Sequence, residues 1–478
     1  MSRRIFGPFN RVEGDLEVTV ESEAGRVTAA WVNSPLYRGF EQILHGKPPL
    51  DALVYTPRIC GICSVSQSLA AARALADAAG IEPPPNGQRV ADLILACENL
   101  ADHLTHFYLF FMPDFARDVY ASRPWHGEIA ARFRAQRGTA TPALLRARAG
   151  FLHITSLLAG KWPHSLSLQP GGVTTTPGKA QQGALLGILL GFRDFLETVL
   201  FADRLENIAM LDDAAALARW CDAHADSDFG RFLRLADDLA LHRLGRIEPD
   251  FLSYGAYGGL FASGAWRPGE GRLPLQTAWI GEDVSHSWML SQNGPVHPLH
   301  GVTQPDAGQA DGYSWCKAPR YDGRVIEVGA LARQAVDGHP LIRALVAADG
   351  SNVRNRVVAR LLEVARVLPA MEAWVRGLAP EAPYRIDVRL PDEAEGEGLV
   401  EAARGSLGHW LRIRNGRILN YQIIAPTTWN FSPRDGQGVP GALEQALVGT
   451  PVVEGAGESV AIQHVVRSFD PCMVCTVH

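Results

Sequence analysis

Two Cys-x-x-Cys pairs lie at opposite ends of the chain, Cys60 and Cys63 within PRICGICSVSQS and Cys472 and Cys475 within SFDPCMVCTVH. Four thiolates can gather in one place only if the fold carries the C-terminus back to the N-terminal third. Clustered thiolates select soft or borderline metals, and the spacing alone fits a structural zinc site, a redox dithiol or a less common metal centre. Zinc modules usually collect their ligands within roughly a few dozen residues, because a short loop closes at low entropic cost. Here hundreds of residues intervene, which disfavours a local zinc knuckle. The first expectation is one metal site that ties both ends of the chain together.

The flanking residues narrow that expectation. RICGIC from Arg58 and DPCMVCTVH from Asp470 resemble, in order and spacing, the two nickel-ligating signatures of the large subunit of [NiFe] hydrogenases. Further strings of the same family are RVEGD from Arg11, YRGFE from Tyr37, ADHLTHFY from Ala101, ARGSLGHW from Ala403 and NYQIIAPTTWNFSPRD from Asn420. The resemblance therefore runs the length of the chain. It implies that Cys60, Cys63, Cys472 and Cys475 bind nickel, with Cys63 and Cys475 also bridging to an iron that carries CO and two cyanide ligands. Cys472, as a terminal thiolate with a free lone pair, becomes the first proton acceptor, and Glu13 of RVEGD the group that passes the proton on. A carboxyl near a buried metal can hold a pKa suited to relay work. An isolated glutamate ahead of a strand would otherwise be a surface residue.

By the same resemblance Asp102, Arg404 and Asp470 form a polar canopy over the metals, where a guanidinium that stays charged can position a small apolar substrate. Such a triad could equally be a structural ion pair. The residue before Arg404 is Ala403, where many family members carry Pro. The resemblance also assigns a magnesium to Glu41, His478 and a backbone carbonyl that falls near Ile423, although imidazole is an unusual ligand for so hard a cation. Outside this motif a terminal histidine is an ordinary frayed end. His106 and His409 fall in family motifs and are expected to orient canopy residues or conduct protons, and His103 to be a core group.

Two features resemble the regulatory, H2-sensing subgroup. Catalytic members are usually made with a C-terminal extension beyond the motif histidine, whereas this sequence stops at His478. Ile62 and Phe110 stand at gas-access positions where many members carry Val and Leu, and larger side chains would narrow the last step of a hydrophobic channel. The expected function is thus H2 cleavage at low turnover, reported to a histidine protein kinase that controls hydrogenase gene expression. The runner-up is a high-turnover uptake hydrogenase. A nickel-free structural member of the superfamily is disfavoured because all four cysteines are present. Cys97, Cys221 and Cys316 match no iron–sulfur spacing, so electrons must leave through a small subunit that carries the iron–sulfur clusters. A dimer of such heterodimers is compatible with this reading.

The elements that must position these residues follow from periodicity. Residues 16–34 alternate apolar and polar around a Gly turn, which predicts a β-hairpin just after Glu13. Helical spacing covers 67–79 and 90–112, separated by PPP at 83–85, and continues in 178–211, 214–241 and 353–378. Gly- and Pro-rich loops with short strands are expected over 252–275, 292–325 and 425–441. The fold class is α+β, one large body dominated by a bundle of long helices with peripheral short strands, and residues 1–478 are expected to act as one cooperative unit.

Composition agrees. With 478 residues, 47% hydrophobic and 20% charged, the chain can bury a large core. A formal charge of −6 gives no polyanion-binding signal, so nucleic acid is not an expected partner. Seven scattered cysteines are no disulfide scaffold. The N-terminus lacks an apolar signal region and the longest apolar run, 184–190, falls far short of the roughly 20 residues a bilayer needs. No direct membrane insertion and a cytoplasmic location are the corresponding expectations.

Overall fold

The structure is a computed structural model that describes residues 2–452 and 459–478. An N-terminal antiparallel sheet opens the chain: β1 (Ser2–Phe6), β2 (Glu17–Glu23) and β3 (Arg26–Asn33), in that order. The predicted hairpin is β2–β3, and β1 adds an edge strand that periodicity did not indicate. Alternation is the reason it forms, since Val18 and Val20 of β2 point into the core while their neighbours face outward.

The helix α1 (Ser64–Ala78) starts one residue after Cys63 and is buried on nearly every side. Its small side chains, six of them alanine, let a strand press directly against it. That strand belongs to an antiparallel sheet that the sequence reading did not foresee, β4 (Ala394–Ala402), β5 (Gly405–Arg414) and β6 (Arg417–Ile424). Contact is so close that a Cβ at Gly396 or Gly398 would lie 2.2 Å from the Ala74 carbonyl oxygen or 2.0 Å from that of Ala70. Only glycine fits there. The consequence is functional, because the β4–β5 turn carries Arg404 and α1 carries the first cysteine pair at its start.

The helix α2 (Pro85–Thr105) carries Asp102, and then winds on as a π-turn over His106–Phe111. The predicted 90–112 helix is thus one element with a change of pitch, of the kind frequent beside functional sites. The expected 178–211 helix ends as α3 (Lys179–Phe195) plus a second π-turn at Leu196–Leu200. The 214–241 stretch is two helices, α4 (Ala214–Ala223) and α5 (Asp228–Asp238), the second capped by Ser227 Oγ accepting from the Gly230 amide at 3.0 Å. Near the C-terminus α6 (Val353–Arg376) is buried along most of its length, as periodicity predicts.

One continuous core runs from Phe6 to Cys475 and includes all four motif cysteines. After α7 (Val460–Ser468) the last residues thread into this core and do not fray, with His478 only 4% exposed. Among the described residues no helix is long and apolar enough to cross a membrane.

Candidate metal centre

The two ends of the chain meet at four sulfurs. Cys63 Sγ lies 3.1 Å from Cys475 Sγ, Cys472 Sγ is 3.1 Å from Cys475 Sγ, and Cys60 Sγ is 3.5 Å from Cys472 Sγ. All four ligand atoms lie within 4.8 Å of one another, and all four residues are buried. The N-terminal pair is held by its own loop, where the amides of Ile62 and Cys63 donate to Cys60 Sγ at 3.3 and 3.5 Å. Buried Glu98 takes the free amides of Val65 and Ser66 at the start of α1, at 2.9 and 3.0 Å. The C-terminal pair is held by the Cys472 amide donating to Thr427 Oγ1 at 3.0 Å and by the Met473 amide donating to the Glu13 carbonyl at 2.7 Å. Arg38 spans both, donating to the carbonyls of Ile59, at 2.6 Å, and of Val474.

These sulfurs titrate as a set. Hydrogen bonds from Cys472, Cys475 and Cys63 hold Cys60 well below the ordinary thiol range, and contacts with Cys472 and Cys475 drive Cys63 well above it. One thiolate thus keeps its neighbours protonated, and the cluster can be fully deprotonated only around a cation that replaces those protons. Four soft donors in a dry, closed group fit nickel or another thiophilic ion, and they exclude a hard one.

Glu13 lies against the C-terminal pair, paired in parallel with Cys472 as an isolated bridge. Gly14, at φ 81°, makes this approach possible, since a Cβ there would sit 3.0 Å from the Val474 side chain and 3.1 Å from its amide nitrogen. Burial raises the Glu13 carboxyl above its ordinary pKa and the charge on Cys60 adds to this, while Arg404 and Arg38 oppose it. Such a half-buried carboxyl holds its proton more readily than an exposed glutamate does.

Above the sulfurs, Arg404 Nη1 donates to Asp102 Oδ2 at 2.6 Å, and Nη2 to Asp470 Oδ1 at 3.1 Å. Its Nε donates to the Asp470 carbonyl at 2.8 Å. The three predicted canopy residues are therefore one clamp, fully buried. Burial pushes Asp102 up to about 7 against the pull of Arg404. Asp470 feels the same burial, yet the guanidinium charges of Arg404 and Arg360 hold it below the ordinary carboxylate range.

The third predicted group also assembles. His478 Nε2 lies 3.0 Å from Glu41 Oε1, its Nδ1 is 2.7 Å from the Cys475 carbonyl, and the Ile423 amide donates to Glu41 at 2.8 Å. Residues that sequence reasoning missed complete the pocket. Lys317 Nζ donates to Glu282 Oε2 at 2.7 Å, Gln422 Oε1 at 3.0 Å, Thr303 Oγ1 at 3.3 Å and Glu41 Oε1 at 3.4 Å. Burial alone would raise Glu41, but Lys317 and His478 bring it down to about 2. Carboxylate, amide and hydroxyl oxygens suit a hard cation. The Lys317 ammonium draws on the same oxygens, so such an ion would have to displace it from Glu41.

The sequence model of the nickel-dependent hydrogenase family matches residues 38–131 and 143–478. The chain belongs to this family. It is 30% identical to the periplasmic [NiFeSe] hydrogenase large subunit of Desulfomicrobium baculatum, over 98% of this chain and 94% of that one. It is also 30% identical to an uptake hydrogenase large subunit of Azotobacter chroococcum, over 100% and 95%. The reduced Ni-Fe-Se hydrogenase of D. vulgaris Hildenborough superposes with a TM-score of 0.84 at 29% identity, covering all of both chains. This chain is thus a hydrogenase large subunit, and hydrogenases of its family oxidise or produce H2.

Arg333 and Arg360 of this hydrogenase had no local signal. Arg333 pairs with Glu363 at 2.9 Å and Glu401 at 2.8 Å, and donates to the carbonyls of Ala402 and Ala403 at 2.7 and 3.1 Å. It thereby fixes the turn that aims Arg404. Arg360 stands 3.6 Å behind Asp470 Oδ2. His409 bonds Tyr421 and Gln67, each at 2.8 Å, and Gln67 Nε2 lies 3.9 Å from Cys475 Sγ, so His409 reaches the cluster through one amide. His106 Nε2 bonds the Arg467 carbonyl at 2.6 Å, and His103 bonds Glu363 at 3.2 Å. Burial lowers both His106 and His409 to about 3, which keeps them neutral. Ile62 packs on the core between the first two cysteines, and Phe110 sits half-buried in the π-turn beyond Asp102.

Proposed function

We propose that this chain is the large subunit of a regulatory, H2-sensing [NiFe] hydrogenase in which Cys60, Cys63, Cys472 and Cys475 ligate nickel. Cys63 and Cys475 are the two that would also hold the iron in this reading. The observation that carries it is the convergence of four buried thiols from both chain ends beneath the Arg404 clamp. The nickel–iron centre, with CO and two cyanides on iron, supplies heterolytic cleavage of H2 when bound.

The protein's own residues then do three things. Cys472 Sγ accepts the proton, and Glu13, raised by burial beside it, takes that proton outward. Arg404, fixed by Asp102 and Asp470, keeps a positive charge beside the cluster, close enough to be felt by Cys472 and Cys63. Each H2 yields two protons and two electrons, and the electrons pass to a small subunit that bears iron–sulfur clusters. Glu41, His478 and the backbone at Ile423 are assigned to a magnesium. The chain acts as one cooperative unit, because its two termini complete a single cluster.

Ile62 and Phe110 are the residues on which the regulatory subtype rests in this reading, since bulkier side chains along a gas path would favour H2 over O2. This reading entails low turnover, a cytoplasmic heterodimer able to pair into a larger assembly, and a histidine kinase that senses its state. A high-turnover uptake enzyme is the second reading, favoured by the uptake hydrogenase among the relatives. Metal analysis with infrared spectroscopy of the purified heterodimer tests the first claim: nickel, with iron in molar excess because the small subunit's clusters add their own, together with CO and cyanide bands, is expected. Zinc without such bands would refute it. Reconstitution with the kinase of the same organism decides the subtype, with H2-dependent change in autophosphorylation expected and an H2-indifferent kinase refuting the sensor.

A further inference from the structure

Far along α1 from the cysteines, a cavity of about 300 Å³ opens between α1, α2 and the Gln169–Gly172 turn. Its floor is apolar, formed by residues such as Leu69 and Ala72, but three charged side chains line it, Arg73, Asp92 and Asp77, the last already accepting from the Glu397 amide at 2.9 Å. Asp92, on α2, is only 8% exposed, and its carboxylate makes no hydrogen bond or ion pair with any described residue. Arg73, on α1, donates Nη1 to the Leu399 carbonyl at 2.7 Å, while its Nε and Nη2 find no acceptor among the described residues. The two influence each other electrostatically without touching. Burial pushes Asp92 up to about 6 against that influence and the weaker one of Arg89.

A buried charge left without a partner is costly, and two complementary charges facing one cavity would normally close on each other. The helices hold them apart. We infer that this cavity is a binding site for a small zwitterion, its carboxylate taken by Arg73 and its ammonium by Asp92. The volume suits a compact molecule of about ten non-hydrogen atoms. The site shares no residue with the metal centre and stands whether or not the sensor reading is correct.

The test is calorimetric titration of the purified heterodimer with glycine, β-alanine and γ-aminobutyrate, which step the charge separation, and with propionate and propylamine as single-charge controls. Saturable binding of at least one zwitterion is expected, with both controls at least about tenfold weaker. Asp92→Asn, nearly isosteric, should weaken binding about tenfold or more while leaving H2 oxidation unchanged, and Arg73→Met should do the same. Absence of saturable binding for all three zwitterions would overturn the inference. So would controls that bind as tightly, or affinity that survives Asp92→Asn.

Discussion

The last seven residues of the chain build two different sites a few residues apart. Cys472 and Cys475 join a group of buried thiols that has no cation of its own to spend, because the neighbouring guanidinium of Arg404 is already held by two carboxylates. His478 joins a group of buried carboxylates that Lys317 neutralises from within. The difference teaches which site depends on a metal. Thiols can wait protonated for their ion, whereas Glu41, already ionised, needs a permanent counter-charge and has one.

The largest effect should come from the thiol side. Cys472→Ser removes one soft donor and the first proton acceptor, and both H2 oxidation and nickel retention should be lost, checked by activity assay and metal analysis. Glu13→Gln keeps size and hydrogen bonding but cannot carry a proton. Turnover and H/D exchange should fall by about 10²- to 10⁴-fold with nickel content unchanged. Retained exchange would remove Glu13 from the path. Arg404→Lys keeps the charge but loses the fork that grips Asp102 and Asp470 together, so turnover should drop about 10²-fold while the infrared bands persist.

On the carboxylate side the expected effect is on stability. Lys317→Met strands Glu41 and Glu282 and should cost about 3–5 kcal/mol, read from denaturant unfolding, with partial rescue by added magnesium. Absence of any loss would break the contrast between the two sites. The pH dependence sharpens it. Glu41 is held at about 2 against an ordinary 4.5, so its contribution is full above about pH 4.5 and lost as pH falls from there towards 2. In Lys317→Met that acid-side loss should shrink. Smallest of all, Ile62→Val with Phe110→Leu should leave H2 turnover nearly unchanged and hasten inactivation by O2, followed as activity against time in air.

The placement of the four cysteines and of the Arg404 clamp was legible in the sequence, and the reason is local: each of these residues sits in a short motif whose neighbours fix its loop. The hairpin after Glu13 and the Val353–Arg376 helix were legible because periodicity is also local. Lys317, Arg333 and Arg360 were not, since their partners lie far away in sequence and no spacing rule reports a counter-charge supplied across the core. The sheet from Ala394 to Ile424 was missed because Gly396 and Gly398, read alone, weaken a strand, whereas their role is to admit α1. The π-turns at His106 and Leu196 keep an apolar pattern close to helical, so the change of pitch leaves no trace in it.

X-ray absorption at the nickel edge, on the purified heterodimer and on Cys60→Ser and Cys472→Ser, tests the union of the two chain ends most directly. A sulfur shell drawn from all four cysteines, losing one member in any variant that still holds nickel, is the predicted result. A nickel shell of nitrogen and oxygen, or a sulfur shell indifferent to changes at both ends, would contradict it.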